Sequence, residues 1–323
     1  MTVEATEAPA RTRIRAFGLV VDSEVPLPGT AVEKGDAAAP HVEVRLADSA
    51  AIDRRWPEGD RVLHTDHGGE LLTTVDHEPE RGYGMWFRHF GRYVVSTDGR
   101  LVLCEATNPG GGMRERYIAA QALPLAAVLQ GLEVLHASAV SVAGGAIAFL
   151  GPSGAGKSTI ATRIAVGGAP FMCDDVLALS SSDGQVVAHS GVGFASVHAH
   201  DEEVTGCERV GEIIGASDKS HVALPLERRV LPLAAVYVIE RVHEEGRLSI
   251  SPLSPVPASL LLSNAFVPYL TTPERLLNQL ALFGAIADQV PVFRLSIPRS
   301  QALSGLSGEL ERVVEHARAT IGA

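Results

Sequence analysis

The fourteen residues from Ala146 to Thr159 constrain this chain more than any others. Ala146 to Leu150 is an unbroken apolar run and reads as a buried strand. Gly151, four further residues and then Gly156-Lys157-Ser158 have the G-x-x-x-x-G-K-[ST] spacing of a phosphate-binding loop. Thr159 to Ala165 continues as a helix. Glycines let the backbone curl so that successive N–H groups face inward, and the helix N-terminus adds its positive end. The expected nucleotide contacts are Gly151, Ser153, Gly154, Ala155, Gly156, Lys157, Ser158 and Thr159. Within this set, Lys157 reaches the β- and γ-phosphates and the Ser158 hydroxyl is a ligand of Mg²⁺. A turn that binds nothing can share the bare pattern, but here strand, loop and helix stand in the required order.

The remaining composition narrows the class. A chain of 323 residues has room for two domains, and 46% hydrophobic residues with a mean hydropathy of +0.15 can fill a sizeable core. A net charge of −11 argues against non-specific binding to nucleic acid or to an anionic membrane surface. Cys104, Cys173 and Cys207 are scattered and odd in number, which suits a reducing compartment better than a disulfide framework. No apolar run is long enough to span a membrane, and the first residues lack the basic-then-apolar pattern of a secretory signal. The expected location is cytoplasmic.

In chain order, residues 1–12 read as a disordered tail and 13–107 as a β-rich accessory domain. A first strand is expected over 13–23. Others follow at 41–46, 60–64, 70–75, 83–90, 92–96 and 101–105, with turns at 66–69, 89–92 and Asp98-Gly99. Residues 108–113, Asn-Pro-Gly-Gly-Gly-Met, form the expected linker to a second domain, 114–323. That domain opens with a helix over 114–130 that Pro124 kinks or splits. A strand over 133–140 and a Gly144-Gly145 turn lead into the loop strand. After the loop helix, 170–180 reads as a strand carrying Asp174 and Asp175, adjacent carboxylates that are costly in an apolar strand unless they meet a cation. Side chains alternate along a strand, so the two acids face opposite ways unless the strand ends between them. Strands at 229–240, 246–251 and 290–295 and helices at 255–270, 272–288 and 306–321 complete the pattern. The run His198, His200, Asp201, Glu202 and Glu203 has metal-ligating residue types but reads more readily as a solvated loop face.

Three pieces in one order carry a family likeness: Leu135-His136-Ala-Ser-Ala, then Gly151 to Thr159, then Asp174-Asp175. Together they resemble the catalytic domain of HPr kinase/phosphorylase and the broader HPr-kinase-like proteins. The β-rich N-terminal half is closer to HPr-kinase-like proteins of peptide-modification clusters, including lasso-peptide precursor kinases. The resemblance implies an α/β phosphate-loop nucleotide-binding domain preceded by a mostly antiparallel β-rich domain. It also implies an ATP- and Mg²⁺-dependent kinase. Asp175 then takes the proton of an incoming hydroxyl, Asp174 and Ser158 hold Mg²⁺, Lys157 neutralises the transferred phosphate, and His136 orients the acidic pair.

The family's Glu-x-Arg-Gly-Leu-Gly segment is replaced here by His189-Ser190-Gly191-Val192-Gly193, without its Glu or Arg, and its Arg-rich loop is not evident. Lys219, Arg228 or Arg229 are candidates for the missing cation. The departure counts against phosphorolysis and against HPr as the acceptor. It leaves a serine of another peptide or small protein as the expected acceptor and a homo-oligomer open. The alternatives are a small-metabolite kinase, a carboxykinase-like enzyme, or a regulatory protein that nucleotide merely switches.

Overall fold

The computed structural model describes residues 11–33, 39–107, 114–198, 207, 209–212, 219–243 and 246–322. The expected linker 108–113, the tail up to residue 10, and the stretch from His200 to Glu203 lie outside them. Among the described residues, two nine-stranded sheets and a small three-stranded one make up the framework.

The N-terminal sheet is built mainly from antiparallel neighbours, with parallel pairing only where His41–Ala47 lies between Leu19–Ser23 and Leu101–Glu105. The single strand expected over 13–23 is a hairpin instead, Thr12–Ala16 and Leu19–Ser23. Phe17 and Gly18 turn the chain with φ of +55° and +78°. That turn docks on the second half of the molecule: the Phe17 amide donates to the Ser190 carbonyl at 2.7 Å. A Cβ on Gly191 would sit 2.8 Å from the Phe17 ring, so the close approach requires glycine there.

The expected helix over 114–130 has three parts: Arg114–Tyr117, a π turn at Ile118–Ala122, and Leu123–Leu129. Pro124 falls in the first turn of the last part, where its missing N–H costs nothing. This segment shares one apolar core with the N-terminal sheet; Phe17, Val42, Met85, Tyr93, Ile118, Leu125 and Val176 belong to it. Tyr117 stacks on Phe90 with ring centroids 3.8 Å apart.

The second large sheet is mixed. Gly145–Leu150, buried throughout, lies antiparallel to Ser138–Val142 and parallel to Leu231–Val242, which in turn lies parallel to Val292–Pro298. Ile147, Phe149 and Leu150 are fully buried, each stabilising the sheet by roughly 1.5–3 kcal/mol. No helix among the described residues is long and apolar enough to cross a membrane.

Two expected strands are interrupted. The chain over 133–140 divides into Glu133–Leu135 and Ser138–Val142, and that over 170–180 into Phe171–Cys173 and Leu177–Ser182. The interruptions face each other, because Leu135 pairs with Leu177 and Ala139 pairs with Cys173, with three residues left between on each side. The expected helix 255–270 is confined to Ala258–Ser263. Beyond it the chain straightens beside the first interruption: His136 N–H donates to the Asn264 carbonyl at 2.7 Å, and Phe266 N–H to the Val134 carbonyl at 3.0 Å.

The helix Pro273–Gln289, capped by Thr272, fixes this corner through a buried ion pair. Arg275 donates to both carboxylate oxygens of Glu133 at 3.2 and 2.7 Å, and to the Val267 and Leu270 carbonyls. Both side chains are under a tenth exposed. Arg275→Met should strand the Glu133 charge and lower stability in urea unfolding by about 3–5 kcal/mol, with Arg275→Met/Glu133→Leu recovering much of it. A loss below about 1 kcal/mol in the single variant would show that the pair does not hold the corner.

Candidate functional site

The loop itself is shaped by backbone requirements. Gly156 caps the helix Lys157–Val166 at φ +109°, a left-handed value that L side chains rarely adopt. A Cβ there would also meet the Leu303 side chain at 2.6 Å. The cap makes no side-chain hydrogen bond, so the first helical N–H groups are left facing the loop's concave side. Lys157 is almost fully buried, and its ammonium donates to the Gly151 and Pro152 carbonyls at 2.8 and 3.3 Å.

Above the loop lies a cleft of about 1010 Å³, large enough for a nucleoside triphosphate. Ser153, Gly154, Ala155, Gly156, Lys157, Ser158 and Thr159 line it, and so do His136 and Asp175. Gly151 is not among the lining residues but holds the Lys157 ammonium, at φ +147°. The facing interruptions in the two strands put His136 against Asp175, Nδ1 to Oδ1 at 3.1 Å. The His136 ring lies nearly parallel to Phe266, with centroids 6.1 Å apart.

The two aspartates are separated by a break in the strand rather than by alternation along it. The strand ends at Cys173, and Asp175 has φ +70°. A left-handed non-glycine residue costs about 1–3 kcal/mol and persists where the surroundings enforce it, often at a functional site. Asp175 is half exposed to the cleft, its side chain 52% accessible. Burial by the cleft walls opposes its ionisation, but the hydrogen bond and charge of His136, then Lys157 and Arg116, prevail and hold its carboxyl below the usual aspartate value.

Asp174 turns inward. Its Oδ1 accepts from the Ser138 hydroxyl at 2.7 Å and its Oδ2 from the Ser196 amide at 2.9 Å. Burial, and then the neighbouring Asp175 charge, raise its carboxyl above the usual value, although Ser196, Ser138 and Ser158 all donate to it. Ser158 and Asp174 are thus within hydrogen-bonding reach of each other.

A metal ion of Mg²⁺ type is compatible with this donor set. A hydroxyl and a carboxylate, both oxygen donors, meet beside the loop, and a raised carboxyl pKa is the mark of a buried acid short of positive charge. No cluster of three or more His, Cys, Asp or Glu able to hold a metal occurs among the described residues. His198 lines the cleft, and the rest of the expected His/acid run lies outside those residues.

Two of the candidates for a replacement cation, Arg228 and Arg229, fall elsewhere. Arg229 is engaged with Glu227 at 3.0 and 2.8 Å, and neither it nor Arg228 lines the cleft. Nothing is described of the Lys219 side chain. Two arginines that the sequence did not signal, Arg241 and Arg299, border the cleft at the ends of Leu231–Val242 and Val292–Pro298. Arg241 donates to the Gln301 carbonyl at 2.9 Å, and Arg299 to the Arg241 carbonyl at 3.2 Å. Ser138 had a sequence signal, since it stands two residues from His136 and strand alternation places such residues on one face. Ser196 had none.

No protein-family model and no curated protein matches the chain. Among solved structures, the HPr(Ser) kinase/phosphatase from Coxiella burnetii is similar at 12% identity and a TM-score of 0.33, over 59% of this chain and 99% of that one.

Removing the His136 ring should release Asp175 from the interaction that most favours its ionised form. In His136→Ala, the Asp175 carboxyl resonance, followed by ¹³C NMR, should titrate at higher pH than in the parent protein. An unmoved midpoint would show that His136 does not govern Asp175.

Proposed function

We propose that this chain is an ATP- and Mg²⁺-dependent kinase that transfers the γ-phosphoryl group to a hydroxyl. One observation carries the reading: a carboxylate held in a left-handed backbone conformation faces a phosphate-loop cleft and is paired with a histidine at 3.1 Å. A protein that only senses nucleotide needs no second acid in that place, whereas transfer to an alcohol benefits from one as a base.

In this reading the loop amides and the helix N-terminus bind the β- and γ-phosphates. Lys157 leaves its two carbonyl partners to neutralise the γ-phosphate. Ser158 and Asp174 are the residues that would hold Mg²⁺, which when bound offsets charge on the phosphates. Asp175 accepts the proton of the attacking hydroxyl, and His136 keeps the carboxylate aimed and ionised. Phosphoryl transfer asks mainly for positioning and charge compensation, which a set this small can supply. The acceptor proposed is a serine of a peptide or small protein, the class that the sequence resemblance implies.

Asp175→Asn should keep Mg·ATP affinity in calorimetry while transfer to serine-containing peptides falls by about 10²–10⁴-fold. Lys157→Ala should lose affinity itself. Transfer at the normal rate by Asp175→Asn would overturn the base assignment and favour a nucleotide switch. A parent protein that phosphorylates small hydroxylated metabolites but no peptide would replace the acceptor class.

A further inference from the structure

A second, smaller pocket of about 30 Å³ shares Asp175 and Ser196 with the main cleft and extends from the acidic pair towards the N-terminal half. Its walls come from three parts of the chain. Phe17 comes from the hairpin turn, Arg116 and Ala119 from the helical connection, and Asp174, Phe194 and His221 from the second half. Most of the wall is apolar. Its volume suits one water molecule or one hydroxyl group.

Two features mark this pocket as built for a polar guest beside a cation. The His221 side chain is wholly buried, with its Nδ1 shared with the Ser196 hydroxyl at 3.3 Å, yet its Nε2 has no hydrogen-bond partner. An orphaned polar atom on a side chain that lines a mostly apolar pocket points to a guest that satisfies it. Arg116 has no ion pair or hydrogen bond among the described residues, and its guanidinium lies over the Tyr117 ring, 5.9 Å from the centroid. It lines the same pocket as both aspartates. The π turn at Ile118–Ala122 begins two residues later, and such turns recur at functional sites.

We propose that this pocket receives the acceptor hydroxyl and that Arg116 is the cation that meets the transferred phosphoryl group on the acceptor side, opposite Lys157. The proposal rests on the kinase reading above. In the step, the bond from the γ-phosphorus to the bridging oxygen breaks, its electron pair leaving with ADP, as the bond from the acceptor oxygen forms. The hydroxyl proton passes to Asp175. Negative charge spreads over the three equatorial oxygens, and the Arg116 guanidinium offers them paired donors from the acceptor side. The cation missing from the expected segment after the acidic pair is thus supplied by the connection between the two halves. A pocket this small admits a primary hydroxyl on a short side chain and excludes a phenol.

The test needs no known acceptor. Mg·ADP with aluminium fluoride imitates the group in transfer, with water as the acceptor. Arg116→Gln should bind Mg·ADP within about twofold of the parent protein, yet capture fluoroaluminate about tenfold or more less tightly. Arg116→Lys should fall between the two, and Ala120→Phe, which fills the pocket, should also lose capture. Equal capture by Arg116→Gln, or a parent protein that binds Mg·ADP and captures no fluoroaluminate, overturns the role of Arg116. A parent protein that does not bind Mg·ADP overturns the kinase reading instead. Should Arg116→Gln fail to fold, undiminished capture by both Arg116→Lys and Ala120→Phe would overturn the proposal.

Discussion

The candidate site depends on two neighbouring strands leaving their hydrogen-bond ladder at the same point. Between the pairs Leu135–Leu177 and Ala139–Cys173 the two strands do not pair with each other, and His136 and Asp175 lie in that gap. Had the ladder continued, both residues would be held in extended conformation, and Asp175 could not take φ +70°. Backbone groups released in a protein interior need other partners. Asn264 supplies one for His136, and the Val176 amide turns back to the Asp174 carbonyl at 2.9 Å. The Glu133–Arg275 pair, three residues before His136, anchors the segment that supplies Asn264.

The break also gives two chemically identical side chains different electrostatics. Asp174 is drawn inward, where burial and its neighbour's charge favour the protonated form. Asp175 is turned to the cleft, where His136, Lys157 and Arg116 favour the ionised form. Two carboxylates whose environments push them apart in this way are suited to separate tasks. Positive charge delivered beside Asp174 and Ser158 would reverse the balance at Asp174, as metal binding at a carboxylate requires.

The N-terminal sheet is joined to this site through the core it shares with the helical connection. Phe17 reaches the segment that follows the acidic pair, and Arg116 reaches the pair's own pocket. The N-terminal sheet can therefore shape what approaches Asp175. Close packing makes that influence physical, because a change in the hairpin turn is felt at Gly191 and Val192.

Local chemistry alone was enough to read several elements from the sequence. The apolar run and glycine spacing announced the loop strand, the loop and its helix, and Thr272-Pro273 announced the start of a helix that the structure places there. Alternation and turn residues located most of the N-terminal strands, and the spacing of His136, the loop and the acidic pair drew attention to the residues that now line or border one cleft. The sequence could not show that two apparent strands would both be interrupted at facing points, since the pattern of neither stretch reports where the other leaves the ladder. Nor could it show that Ser196, Arg241 and Arg299 would line the cleft, or that Arg116, from before the loop, would line the small pocket beside the acidic pair. Local pattern reports a residue's neighbours along the chain; which distant charge faces Asp175 was decided only when the sheets packed.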